Sequence, residues 1–143
     1  MIIPDVNLLI YAYDQTSELH GATRRWWEAT LRGEERVGIP WIVALAFVRL
    51  TTHPMLNQNP MTVRQAREAV ESWLLLDHVA LLAPGAITFS CFFDLLEEAG
   101  TGGNLTTDAM IAALALEHGG RIHSNDRDFS RFRKIIWENP LDL

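Results

Sequence analysis

The strongest constraint on this chain is an alternation of short apolar runs with longer helical stretches. Met1–Ile3, Arg36–Pro40, His78–Leu82 and Arg121–Ser124 read as strands, and Lys134–Glu138 is a candidate fifth. Between them, helices are expected over Asn7–Tyr13, His20–Leu31, Ile42–Thr52, Thr62–Leu76, Thr88–Ala99 and Leu105–His118. Their ends carry physical signals. Thr62 with Gln65 makes a capping box, Pro54 stops the third helix, and Gly100 and Gly119-Gly120 follow the last two. Strands and helices alternating at this spacing imply βαβ units and a parallel sheet. The strands are apolar throughout rather than alternating, as a sheet covered on both faces requires. The expected fold is therefore α/β, with a mostly parallel sheet of four or five strands covered on both faces.

With 143 residues and no linker, repeat or low-complexity segment, a single domain over residues 1–143 is expected. A hydrophobic share of 48% is enough for a core and excludes a disordered chain. No apolar run approaches the roughly 20 residues of a membrane span. From the opening "MIIPDVN" no secretory signal is expected, and the one cysteine, Cys91, in an apolar run, is expected to be core filling. A reducing cytoplasm is the expected location. The net charge of −6 argues against a protein that only coats nucleic acid.

In an open parallel sheet, sites form outside the carboxyl ends of the strands. Asp5 follows the first strand and Asp126 the fourth. Asp108 stands in the first turn of a helix that runs antiparallel to the strands, so it starts level with their carboxyl ends. Each acid alone has an ordinary explanation: helix-dipole complement for Asp108, helix start for Asp5 beside an equally good cap in Asn7, turn residue for Asp126. Three carboxylates at one edge are harder to explain that way, because like charges brought together repel. Oxygen ligands without a His or Cys cluster suit Mg²⁺ or Mn²⁺ rather than Zn²⁺. Such an ion serves phosphodiester chemistry.

The segments "PDVNLLIYAY", "GNLTTDAMIAALALEHG" and "IHSNDRDFSRF" resemble the PIN-domain ribonucleases, and more closely the VapC-type toxins of bacterial toxin–antitoxin pairs. The resemblance spans essentially the whole chain. It implies a three-layer α/β/α domain, Mg²⁺- or Mn²⁺-dependent cleavage of structured RNA such as transfer or ribosomal RNA, and inhibition by a small VapB-type antitoxin. By position, Asp5, Asp108 and Asp126 match the family's catalytic and metal-binding aspartates. Asn7, Thr107 and Ser124 match supporting polar positions, and Asp128 matches the last acid of the "DxDF" ending. Asp128 is a further candidate ligand, or else an N-cap for a helical turn around Phe129–Arg133. One departure stands out: Ala46 occupies the position of a common glutamate, three residues before the retained Arg49. That leaves open whether one or two ions act.

The run "NDRDFSRFRK" sets Arg127, Arg131, Arg133 and Lys134 beside Asp126. Basic groups next to an acidic metal site suit an RNA backbone, with Arg49 as a further candidate. The alternative is a surface turn pairing its cations with Asp128 and Glu138. Phe129 and Phe132 read as core. The aromatic and apolar stretches "RRWWEATLR" (Arg24–Arg32) and "WIVALAFVRL" (Trp41–Leu50) are partly core, and an excess, such as Trp26 or Trp27, suggests a homodimer face or an antitoxin groove. Two other readings compete. A Mg²⁺-dependent phosphatase-like enzyme would want a second Asp at position 7 and a catalytic Lys, but Asn7 stands there and the only lysine is Lys134. A binding scaffold with a decayed site would explain Ala46.

Overall fold

In the computed structural model, which describes residues 1–142, five parallel strands lie in the order β3-β2-β1-β4-β5. They are β1 (Ile2–Pro4), β2 (Val37–Pro40), β3 (Val79–Leu82), β4 (Arg121–His123) and β5 (Ile136–Glu138). Six helices connect them: α1 (Val6–Tyr13), α2 (His20–Arg32), α3 (Trp41–Thr51), α4 (Val63–Leu74), α5 (Ala86–Ala99) and α6 (Thr106–His118). The fifth strand is real, and every expected helix is present within one or two residues of its ends.

Strand order fixes the layers. From β1 to β2 to β3 the chain steps one way across the sheet. From β3 it then crosses back over β2 and β1 to reach β4. Right-handed crossovers put α1–α4 on one face and α5 and α6 on the other. The packing agrees: α1 lies on α2 and α3, α3 on α4, and α5 on α6. This is the expected three-layer sandwich.

The central strands are fully covered, with Ile3, Val37, Ile39 and Ile122 at zero exposure. On one face, Tyr13, Trp27, Phe47 and Trp73 form a cluster of edge-on aromatic contacts. On the other, α6 is buried through its middle, from Ala109 to Ala115. A helix apolar all round belongs inside a protein. It ends at Gly119, whose φ of +62° is left-handed. Gly120 then passes Ile3 so closely that a Cβ would lie 2.8 Å from its Cδ1. No helix of the described residues is long and apolar enough to cross a membrane.

Of the two tryptophans of α2, Trp27 turns fully inward and is removed as a partner face, while Trp26 is half-buried. Trp27 is 2% exposed, and Trp26 reaches the sheet, donating its indole N–H to His123 Nδ1 at 3.0 Å. Adjacent residues differ by about 100° around a helix. Here Trp27 packs edge-on against Trp73 of α4, and Trp26 lies against His123 of the sheet.

Candidate metal centre

The site begins where β1 ends. Asp5 leaves the strand in an extended conformation and N-caps α1, its Oδ1 accepting from Val6 N at 2.7 Å. The cap is therefore Asp5 and not Asn7. Pro4 pairs with His123, so Asp5 lies level with Ser124, the first residue past β4. The buried Ser124 hydroxyl donates to Asp5 Oδ2 at 2.7 Å and accepts from Asp126 N at 2.9 Å. One side chain thus ties the first acid to the backbone of the third.

Asp126 in turn accepts from Asp128 N at 2.9 Å and caps a short 3-10 turn over Arg127–Arg131. The expectation that Asp128 caps a turn around Phe129–Arg133 is thereby corrected. The turn starts earlier because Asp126 already offers the cap, which leaves the Asp128 carboxylate free. Phe129 and Phe132 are core, as expected, at 0% and 4% exposure.

Asp108 arrives from the opposite direction, in the first turn of α6. Asp108, Asp126 and Asp128 each place a carboxylate oxygen within 4.8 Å of one another. Asp5 stands beside this group rather than in it, with both oxygens already hydrogen-bonded. Burial and the neighbouring charges of Asp5, Asp126 and Asp128 push the Asp108 pKa up to about 7. Burial also raises that of Asp5, and Asp126 adds to the rise. The hydrogen bonds from Ser124 and Val6 work against it.

The location follows from topology. Connections leave β1 and β4 toward opposite faces of the sheet, and the crevice between such strands is where open α/β sheets bind ligands. The donors are all oxygens, in a half-buried setting that repels itself unless a cation is present. They fit a hard divalent ion that keeps several waters. A cavity of about 810 Å³ elsewhere, lined by Tyr13, Asp14, Asn57 and Glu68 among others, includes none of these acids.

The remaining expected residues divide. Asn7 is half-buried and Thr107 exposed, and neither forms a side-chain hydrogen bond to another described residue. Ala46 and Arg49 lie on α3, where Arg49 is exposed, and α3 carries no acid. Arg127, Arg131, Arg133 and Lys134 are all exposed, with no ion-pair partner among the described residues. Their expected alternative partner, Glu138, is taken by Arg121 and His123 at 3.3 and 3.4 Å. One contact had no signal in strand or helix periodicity. Trp137 of β5 donates its indole N–H to the Ser124 carbonyl at 2.9 Å.

Comparison with known proteins agrees with this geometry. The model of the PIN domain family matches residues 2–135. Ribonuclease VapC37 of Mycobacterium tuberculosis is 41% identical over 143 residues, covering 100% of this chain and 99% of that protein. Among solved structures, VapC20 of Mycobacterium tuberculosis, described as a sarcin-ricin loop cleaving toxin, superposes with a TM-score of 0.69. The identity is 18%, over 91% of this chain and 93% of that one. VapBC2 from Rickettsia felis, bound to a promoter DNA fragment, gives a TM-score of 0.66 at 20% identity, over 97% and 98% of the two chains. A full-length match at this identity, on this fold and with these acids at its switch point, has one reading: the chain belongs to the PIN-domain family, among the VapC ribonucleases.

Proposed function

We propose that this protein is a Mg²⁺- or Mn²⁺-dependent endoribonuclease, the toxin of a toxin–antitoxin pair. Its proposed substrate class is structured RNA of the translation machinery, transfer or ribosomal RNA, in the cytoplasm. The observation that carries this reading is the convergence of Asp108, Asp126 and Asp128 within 4.8 Å at the sheet's switch point. The VapC20 neighbour's stated target makes ribosomal RNA a reasonable first substrate to assay.

In this reading Asp108, Asp126 and Asp128 hold the ion, and Asp5 is the fixed carboxylate completing the site. The ion, when bound, lowers the pKa of a water for attack on the phosphodiester and stabilises charge on the phosphate oxygens. Ser124 keeps Asp5 and the Asp126 backbone in register. Asn7 and Thr107 line the approach as supporting polar groups. Arg127, Arg131, Arg133 and Lys134 draw the RNA backbone toward the acids, with Arg49 a further contact from α3.

The partner we assign is a VapB-type antitoxin whose inhibitory segment brings basic side chains to the four acids. A second copy of the chain is assigned to Trp41 and Leu45, one turn apart on α3 and 40% and 59% exposed. Sedimentation of the wild type and of Leu45→Glu tests that face; a monomer at micromolar concentration in both would remove it.

The deciding experiment is cleavage of transfer and ribosomal RNA with Mg²⁺ or Mn²⁺, with EDTA, and with Asp126→Asn. Expected is metal-dependent cleavage lost in both controls. Cleavage that persists in EDTA overturns the mechanism. No cleavage under any condition favours the scaffold reading, to which Ala46 on an acid-free α3 gives its support.

A further inference from the structure

We propose that Trp137 is a positioning residue for the acidic centre, acting through Ser124. The inference rests on the metal-centre reading above. It starts from a gap in the sheet. In a parallel ladder, a residue that donates its N–H to one strand neighbour accepts at its carbonyl from the residue two further along that strand. Ser124 N donates to Glu138 O at 3.1 Å. β5 ends at Glu138, and a ladder continued past it would bring the backbone N–H of residue 140 to the Ser124 carbonyl. That residue is Pro140, which has none.

The missing bond is replaced from the side. Trp137, paired with Ile122 in the strand register, extends toward the carboxyl edge and donates its indole N–H to the Ser124 carbonyl at 2.9 Å. Ser124 is fully buried, so an unpaired carbonyl there would be costly. Every polar group of Ser124 is now engaged: N–H to Glu138, carbonyl from Trp137, hydroxyl to Asp5 and from Asp126. The peptide plane held by the indole is the one that aims this hydroxyl. Loss of the indole N–H lets that plane rotate, and Asp5 and the Asp126 amide lose their common anchor. Trp137 touches neither substrate nor ion in this scheme.

Trp137→Phe keeps an aromatic ring at this position and removes the donor. Two readouts test it. In metal-free protein, hydrogen exchange at the Asp126 amide is expected to accelerate. In titrations followed by electron paramagnetic resonance, Mn²⁺ affinity is expected to fall about three- to tenfold. In the Ser124→Ala background Trp137→Phe should add nothing to either readout, because the hydroxyl it aims is gone. Pro140→Ala supplies the ladder N–H, so Trp137→Phe/Pro140→Ala should recover both protection and affinity.

Unchanged Asp126 exchange in Trp137→Phe overturns the proposal. So does an equal effect with and without Ser124, or a double variant no better than the single one. If the wild type binds no Mn²⁺, the metal-centre reading fails, while the exchange data still decide the role of Trp137. If Trp137→Phe does not fold, the double variant Trp137→Phe/Pro140→Ala carries the test. With a backbone donor present, Trp137→Phe/Pro140→Ala must fold, and its failure to do so counts against the proposal.

Discussion

At the amino edge of the sheet, Glu35 accepts from both terminal nitrogens of Arg121, at 2.6 and 3.0 Å, and sits 3.6 Å from the Met1 ammonium. Arg121 also reaches Glu138, which faces His123. At the carboxyl edge, four acids stand together and the nearby cations point into solvent. The same sheet therefore carries a charge-matched edge and a charge-frustrated one. At the first, the hydrogen bonds from Arg121 hold the Glu35 pKa below the usual carboxylate range. At the second, burial and like charge hold that of Asp108 near 7. Stability alone explains the first arrangement, and the second is the one to which we assign a bound cation.

The largest effect should come from removing a member of the frustrated group. Asp108→Asn or Asp126→Asn is expected to reduce RNA cleavage to the level seen in EDTA while the far-ultraviolet circular dichroism stays unchanged. Half or more of wild-type activity in either variant would show that the acids are not the reacting centre. Next in size is a pH effect on metal binding. A proton and a divalent ion compete for a carboxylate that titrates near 7. Apparent Mn²⁺ affinity should therefore rise about tenfold per pH unit up to pH 7 and level off above it. Calorimetric titration from pH 5.5 to 8.5 checks this, and a flat profile would remove Asp108 from the ligand set.

These positions were legible for a simple reason. Asp5 directly follows an apolar strand run, Asp126 comes three residues after β4, and Asp108 opens an apolar helix, so order in the chain gave position in the sheet. The strand–helix alternation fixed the layers in the same way. What was not legible depends on pairings distant in sequence. Arg121 and Glu35 lie 86 residues apart and meet only because β4 and β2 flank β1. Trp26 meets His123 across 97 residues, so helical periodicity could not tell which neighbour would cover it. Asp128 was ambiguous because two acids competed for one cap, and the backbone settled it in favour of Asp126.

The frustration should also be measurable as stability. The ordinary pKa of Asp108 is 3.8, and in the folded chain it is about 7. An acid raised on folding resists its own charge more in the native state than in the unfolded one. Its cost is therefore absent below about pH 4 and fully present above about pH 7. In metal-free protein, Asp108→Asn should be more stable than wild type at pH 8, and this advantage should shrink as the pH falls to 4. Partial solvent access screens the charge, so the expected gain is about 1–2 kcal/mol rather than the full linkage value. Urea unfolding at the two pH values measures it. Saturating Mn²⁺ should reverse the order, because only the wild type then gains from binding.

The matched edge should answer in the opposite sense and more weakly. Arg121→Gln removes the bidentate partner of Glu35, which is 41% exposed and so remains hydrated on its own. Because water replaces much of what is lost, the expected destabilisation is about 1 kcal/mol, and it should shrink in 1 M salt. The acids at the other edge keep every hydrogen bond, since none of them involves Arg121. RNA cleavage and Mn²⁺ affinity should stay within about twofold of wild type, as for surface changes away from a site. The informative failure is a variant that keeps its stability and loses cleavage. Ser124 follows Arg121 by only three residues, just past the end of β4, so such a result would mean that this short strand transmits strain along its length. The contrast between the edges would then describe one coupled element, and the amino-edge ion pairs would belong to the catalytic apparatus.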